Sequence, residues 1–563
     1  EAKTYFLASD ATAVLRALDG IFASAAKVSS TISAPAASTN TLSTSDGFYY
    51  TASFNPEYWS GDLKRNTIRI SASGAVQLGN IQNAVSAAAR LDQLTDAQTD
   101  NRNIIVGLEG SSSTGGTAAA FTWAAINDTL RSNLNKANPT ATADNDGTNR
   151  LNFIRGYRAR EGVSYRQRAS RLGDIVNSGA AYSGAPTTRY NGISAYKTFY
   201  NANVNRTKAV FIGANDGMLH AFNADTMEEL DAQPVVAEAQ VGSDWKTVLV
   251  SGTGGGGQGV FALDVSNPGS FAANKVLWEF TDQNDSDLGN VIGQPRIVKL
   301  RTSAPTATTP TYKWFAAVAS GVNNYVNDGS DRFSTTGSPA LFLLDLSKPS
   351  RDAWSLGTNY FKISLPISND LTTGTQEVNT SGQGTGVGKA TGLLNVNFTA
   401  NSVDAVEFFY LGDLHGQFWK LDMSKANFSS STNTSWNLAK VSGYVNSSSA
   451  PIPMYIAKDS AGKVQPITMV PTIAFGPSSG SYIVAFGTGK YLEARDNNID
   501  SSTQTQSFYV LYDSGSSYTV DVQPDTGSLA RFNGRARLQQ GSITSGVISV
   551  PSFYWNVPRN TND

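Results

Sequence analysis

Residues 209–225 read AVFIGANDGMLHAFNAD: a short apolar strand, a tight Asn-Asp-Gly turn, a second apolar strand and a closing Asp. The same grammar returns as VLVSGTGGGGQGVFALDVS at 248–266 and FAAVASGVNNYVND…PALFLLDLS at 315–347. It recurs as FFYLGDLHGQFWKLDMS at 408–424 and, more weakly, as YIVAFGTGKYLEA…QSFYVLYDS at 482–514. With Asp225, Asp264, Asp345, Asp422 and Asp513 as closing residues, the spacings are 39, 81, 77 and 91. The first is the length of one β-propeller blade. The others fit one blade with long inserted loops, or two blades with the middle copy degraded. Each hairpin offers apolar faces that stack on neighbouring sheets, and closing a ring protects sheet edges. An open β-sandwich is the alternative, but five copies of one two-strand signature favour the propeller. The reading is a mainly β chain, a modified β-propeller of seven blades, some degraded or carrying long loops, with a few peripheral helices.

Composition sets the outer limits. The 563 residues carry 43 Lys+Arg against 45 Asp+Glu, two His and no Cys, with 51 Gly, 26 Phe, 22 Tyr and 9 Trp. A net charge of −2 gives no footprint for nucleic acid or anionic lipid, which need clustered Lys and Arg. The lack of Cys excludes disulfides, iron–sulfur clusters, thiolate zinc sites and thiol nucleophiles. Low charge with abundant Gly, Ser, Thr, Asn and aromatics is typical of exported β-rich proteins. No run of 18 apolar residues is present, so no transmembrane helix is expected.

The periodicity predicts a helix over 10–26, capped by Asp10, with Val14, Leu15, Leu18, Ile21, Phe22 and Ala25 on one face. A Ser/Thr/Ala-rich linker follows at 27–46. Further helices are expected at about 79–97 and 118–136, and short strands dominate after 150. The division expected is residues 1–46, a helix and linker from the end of an upstream domain, and residues 47–563, the propeller with its closing segments.

Several ordered motifs exceed generic propeller grammar: YWSGDLKR (58–65), FIRGYRARE (153–161), YRQRASRLGDIVNS (165–178), GANDGMLHAFNA (213–224) and WKTVLVSGTGGGGQGVFALDV (245–265). They continue as VLWEFTDQNDSDLGNVIGQP (276–295), YLGDLHGQFWKLDM (410–423), QPITMVP (465–471) and VAFGTGKYL (484–492). In this order they resemble the C-terminal half of the PilC/PilY family of type IV pilus tip-associated proteins, over roughly residues 50–515. The opening helix resembles the end of the von Willebrand A-like domain that precedes the propeller in some members. The resemblance implies a non-enzymatic pilus biogenesis factor and tip adhesin that supports pilus extension and twitching motility. Its implied partners are minor pilins, the pilus tip complex and host-cell or abiotic surfaces. Its implied location is the pilus tip and outer-membrane surface, reached through the periplasm. The rival class is a quinoprotein-like propeller dehydrogenase, which repeats Trp- and Gly-rich blades of similar size. Such enzymes usually hold their quinone with calcium, often beside a vicinal disulfide, and a chain without Cys departs from that pattern.

The resemblance also implies a calcium loop just before the Gly-Asp-Leu…Trp motif, with ligands at positions 1, 3, 5, 7 and 9. Here these are Thr399, Asn401, Val403, Ala405 and Glu407. Val403 brings no side-chain oxygen and only Glu407 is charged, a degenerate set for a hard cation that wants six to eight oxygens. The same oxygen rhythm occurs at Asp282, Asn284, Ser286 and Asn290, and at Asp144, Asp146, Thr148 and Asn152. Asp/Asn/Gly clusters are also the ordinary vocabulary of turns. No cofactor is expected, and calcium is the cation these turns would take.

His220 and His415 follow Gly-Met-Leu and Gly-Asp-Leu, related repeat positions, and are expected on blade strands, hydrogen-bonded to a turn. The run 252–259 (GTGGGGQG) lies between strands and lacks the Lys-Ser/Thr of a phosphate loop, so it reads as a hairpin turn. Trp245, Trp278, Trp314 and Trp419 are expected to pack between blades. Arg155, Arg158, Arg160, Arg166, Arg168 and Arg171 form the densest basic stretch, read as a solvated face that could meet an acidic surface. Contacts with partners are expected from the loops at 350–400 and 425–465.

Overall fold

The computed structural model describes residues 36–38 and 47–519, apart from 72–75, 80–83, 109, 111–113, 177, 232–235, 327–331, 368–389, 431–433, 493–495 and 497–503, together with 538, 542–544 and 547–549. The helix expected at 10–26 and most of the 27–46 linker lie outside them. Among the described residues there are six sheets of three or more strands, against the seven blades expected. The first pairs Ala36–Ala37, Gly47–Asn55, Ser60–Ile70, Val76–Leu78 and Val85–Ser86. The second runs Ala181–Ser183, Ala209–Gly213, Leu219–Asn223 and Glu229–Asp231, and the third Val236–Val241, Asp244–Gly252, Gly259–Asp264 and Val276–Thr281. The fourth is Arg296–Arg301, Tyr312–Ala319, Ala340–Asp345 and Tyr360–Ser364. The fifth holds Gly321–Val322, Gly392–Ala400, Val406–Asp413, Gln417–Asp422 and Tyr455–Ile456. The sixth holds Thr472–Phe475, Tyr482–Gly487 and Phe508–Asp513. Neighbouring strands of the second, third, fourth and sixth sheets are antiparallel meanders in chain order.

The central strands are buried on both faces, so they read as continuous apolar runs. Side chains alternate across a strand, and each alternate set enters a different core. In 209–213, Val210 and Ile212 join Tyr50, Leu63 and Phe222 between the first and second sheets. Ala209 and Phe211 face the other way, onto Leu249 and Leu263 of the third. Ala316 and Val318 meet Val250, Val260 and Phe280 of the third sheet, while Phe315 and Ala317 meet Phe409, Leu411 and Trp419 of the fifth. Phe408 and Tyr410 then pack on Val484, Phe486 and Leu511 of the sixth. The sheets therefore stack face to face in chain order, as propeller blades do. The long repeat spacings are resolved as single blades with long insertions. Part of the insertion at 425–465 is core: Phe428, Trp436, Leu438 and Val441 fill the seam between the fourth and fifth sheets.

The repeat Asp has a structural task. Asp264, Asp345 and Asp422 each accept from the backbone N–H and the hydroxyl of the Ser two residues on. Such Asx turns leave the strand with a fixed geometry. In the second sheet the residue doing this is Asn223, which accepts from the N–H groups of Asp225 and Thr226. Its strand partner is Ala209, at the start of the preceding strand, as Asp345 pairs with Phe315. Asp225 is thus two residues out of register, and Asn223 is the true counterpart.

Two helix expectations fail for the same reason. Val85–Ser86 pairs with Lys64–Arg65, and among the described residues of the 79–97 stretch the α-helix is confined to Ala87–Asp92. Thr117–Ala120 pairs with Ile105–Leu108, which leaves Asp128–Leu134. Tertiary strand pairing overrides the helix propensity of Ala.

Asp345 is buried and also holds Lys313, whose Nζ lies 2.8 Å from Oδ2. Asp345→Ala is expected to lower unfolding stability by about 1–3 kcal/mol in denaturant titration, the cost of stranding its donors. Removing the half-exposed lysine as Lys313→Met is expected to cost no more than about 1 kcal/mol.

Candidate functional site

The turn implied as a calcium loop is a hairpin tip between Gly392–Ala400 and Val406–Asp413. Asn401 Oδ1 accepts from the N–H groups of Val403 and Ala405, both at 3.1 Å, which closes the tip on itself. Asp404 sits at φ +62°, a left-handed conformation that Asp adopts more readily than most residues. Two cations from other segments reach this tip. Lys299 Nζ donates to the Val403 carbonyl at 3.0 Å, and the Arg189 guanidinium pairs with the Asp404 carboxylate. Glu407 accepts from the Tyr482 hydroxyl at 3.1 Å, and Thr399 is buried beside it on the neighbouring strand.

In the 282–290 segment the side chains seen to converge are not the predicted ones. Asp285 and Asp287 both bind Lys362 Nζ, each at 2.8 Å. Tyr360 adds its hydroxyl to Asp285 at 3.1 Å, and Ser334 donates to Asp287. Of the predicted set, Asn284 Oδ1 caps the Thr281 N–H at 2.9 Å and Asn290 Nδ2 donates to the Gly257 carbonyl at 3.0 Å. Asp282 lies in the same turn as Asn284, and Ser286 lies in the next one, before Asn290. At 144–152, Asp144 pairs with Arg150, while Asp146 accepts from Tyr165 and Asn149 and lies 3.6 Å from Arg160. Arg150 holds the Asp144 carboxyl at about 2, below its ordinary range. Among the described residues no group of three His, Cys, Asp or Glu is placed to hold a metal ion.

The histidines are not equivalent. His220 lies inside Leu219–Asn223, and the strand registers match it with Trp419, since Leu219 pairs with Gly213 as Phe418 pairs with Gly412. His415 instead lies in the turn before Gln417–Asp422 and matches Asp216. The shared Leu-His dipeptide concealed a different offset. His220 is buried between two carboxylates: Nε2 lies 2.9 Å from Asp216 and Nδ1 lies 2.9 Å from Glu229. Arg102 clamps the same Glu229 through Nε and a terminal nitrogen, each at 2.5 Å. Burial opposes protonation of His220, but Asp216 and then Glu229 outweigh it and raise the imidazole to about 9. Burial likewise opposes ionisation of Glu229, but Arg102 and His220 hold it at about 2.

Half of the basic stretch proves internal. Arg155 and Arg171 are only 3% and 5% exposed, and Arg168 is buried as well. Arg155 donates to the carbonyls of Phe121, Thr99, Asp100 and Arg102. Arg171 binds the Gly156 and Asp92 carbonyls, and Arg168 pairs with Glu161 while lying 3.9 Å over the Phe153 ring. Arg158 pairs with Asp92, and Arg166 donates to the Tyr58 carbonyl. Arg155, Arg158, Arg168 and Arg171 bind segment 87–175 together through the fork geometry of guanidinium. Of the solvated face expected, only Arg160 and Arg166 are exposed. Residues 252–259 form the predicted turn between two strands, and all four tryptophans pack between sheets as expected.

The stacked sheets of three to five strands with shared cores define a β-propeller scaffold. A model of the PilY1 beta-propeller domain matches residues 228–540, more than half of the chain. The chain belongs to this family. The type IV pilus biogenesis factor PilY1 of Pseudomonas aeruginosa strain UCBPP-PA14 is 31% identical over 512 residues, 83% of this chain and 39% of that protein. A PilY1 homolog from Xylella fastidiosa strain Temecula1 is 29% identical over 530 residues, 83% of this chain and 32% of that protein. The chain thus spans about a third to two fifths of the length of these relatives. The crystal structure of the Pseudomonas aeruginosa PilY1 C-terminal domain superposes with a TM-score of 0.44 at 26% identity, covering 66% of this chain and 72% of that one.

The raised His220 value has a defined pH consequence. Its folded value near 9 lies above the unfolded value of about 6.5, so its stabilisation is complete below about pH 6.5 and is lost as pH rises through 9. His220→Gln is expected to lower unfolding stability by about 3 kcal/mol at pH 6. That gap from the parent is expected to shrink steadily between pH 6.5 and 9.5 in paired denaturant titrations.

Proposed function

We propose that this chain is the propeller module of a type IV pilus biogenesis factor, working at the cell surface without catalysing a reaction. The observation carrying this reading is the match of residues 228–540 to the PilY1 propeller, on a frame whose sheets share continuous cores. Such a frame holds its long connections in fixed positions, and connections on a rigid body are where binding residues concentrate. The non-catalytic part of the reading draws on the histidines. Both are buried, and His220 is held by two carboxylates and not poised beside a nucleophile. No helix among the described residues is long and apolar enough to cross a membrane. Minor pilins and the pilus tip complex are the proposed partners, host-cell or abiotic surfaces the proposed adhesion targets, and export through the periplasm the proposed route.

Deleting the gene is expected to abolish or strongly reduce surface pili, twitching and attachment, with full-length complementation restoring all three. Normal piliation and motility in the deletion strain would defeat the proposal. So would quinone-dependent dye reduction by the purified protein with calcium, which belongs to the dehydrogenase class.

The 399–407 tip is proposed to work without calcium. Val403 supplies no side-chain ligand, and the ammonium of Lys299 and the guanidinium of Arg189 occupy its neighbouring oxygens. Calcium added to the chelated protein is expected to leave its melting temperature unchanged. A ligand bound by the folded state alone raises stability in proportion to the logarithm of its concentration. A calcium-dependent rise of that form would overturn this reading.

A further inference from the structure

Lys420 and Asp513 form an ion pair unlike any other among the described residues, because both side chains are 0% exposed. Lys420 Nζ lies 2.7 Å from Asp513 Oδ1, and the two residues are 93 positions apart. Lys420 belongs to Gln417–Asp422 of the fifth sheet, and Asp513 ends Phe508–Asp513 of the sixth. The surroundings hold the pair in place. The lysine Nζ lies 4.0 Å from the centre of the Phe408 ring, and Gly443 lies so close to its stem that a Cβ there would come within 2.9 Å of Cγ and Cδ. Asp513 Oδ1 also accepts the Gly515 N–H at 2.9 Å, and Oδ2 accepts the Tyr410 hydroxyl at 2.5 Å.

We infer that Lys420 and Asp513 condense to a side-chain amide, a covalent cross-link between the fifth and sixth sheets. Burial disfavours charge in general, and separated ions in a dry interior are costly. It pushes the Lys420 ammonium below its ordinary value, towards the neutral amine that is nucleophilic. In the step, one ammonium proton passes to the Asp513 carboxylate, which the Nζ already meets at Oδ1, and comes to rest on Oδ2; the amine lone pair forms a C–N bond to Cγ. The Cγ–Oδ2 bond then breaks, and Oδ2 leaves as water with that proton and a second from the nitrogen. Tyr410, already on Oδ2, relays the second proton and is regenerated. Oδ1 remains as the amide carbonyl, with the Gly515 N–H placed to stabilise the charge it carries in the tetrahedral intermediate. An ammonium and a carboxylate become one neutral amide and one water, with no oxidant or cofactor. Such a bond gives a chain without Cys a covalent tie that restricts the unfolded ensemble as a disulfide would.

Intact mass measurement and tandem mass spectrometry of the denatured, trypsin-digested full chain test this directly. The protein is expected to be lighter by the mass of one water. Lys420 is expected to resist trypsin, and its peptide to be joined to the one containing Asp513. Asp513→Asn keeps the shape of the side chain and is expected to lose one ammonia in place of one water, a change no ion pair would produce. Lys420→Arg is expected to give the unmodified mass, and Tyr410→Phe to slow formation in freshly refolded protein. An unmodified parent mass, cleavage after Lys420, or a water loss mapped to other peptides would each overturn the inference.

Discussion

The structure depends on strands that are buried on both faces. A strand such as 209–213 or 315–319 has no polar side to turn to water, so each alternate set of side chains must find its own apolar neighbour. One sheet cannot satisfy that demand alone. Two flanking sheets can, and each flanking sheet inherits the same demand in turn. Serial stacking follows from side-chain alternation before any particular contact is considered. It also explains a composition rich in aromatics and poor in charge, since each seam consumes large apolar side chains from two sheets.

Charges inside this body sit where segments distant in sequence meet. Arg102, Glu229, His220 and Asp216 join the 87–175 segment to the second sheet, and Lys362 with Asp285 and Asp287 ties the end of the fourth sheet to the loop after the third. Each group is paired because an unpaired charge there would be far more costly than the pair is favourable. These networks act as locks on register. A strand displaced by one residue would leave several buried charges without partners.

Much of the fold was legible from 209–514 because it rests on local pattern: apolar runs, Gly and Asn in turns, and a closing side chain that caps the next turn. Legibility ended where a residue's role is set by a distant partner. The Ala-rich stretches look helical in isolation, but strand pairing to Lys64–Arg65 and Ile105–Leu108 claims part of each. The arginines of 155–171 cannot be told from a solvated patch, because the carbonyls they bind lie at 91–102 and 121 as well as nearby. Asn223 was missed because Asp225 offered a more familiar letter two residues away. A usable signal did exist for Lys420. In QFWKLD, alternation places Trp419 and Leu421 in one core, so Phe418 and Lys420 must face the other. A charged residue at a core-facing position asks for a buried counter-charge, though not which one.

The later seams are also joined by main chain. Gly321–Val322 leaves the fourth sheet and pairs with Gly392–Leu393 of the fifth, and Tyr444–Val445 pairs in parallel with Tyr518–Thr519 beyond the sixth. Gly321 is suited to this crossing: it has φ +76°, and a Cβ there would lie 1.9 Å from the Asn290 carbonyl. Backbone hydrogen bonds across a seam resist sliding along it in a way that apolar contact, which is non-directional, does not. Under tension the fourth, fifth and sixth sheets therefore behave as one mechanical body.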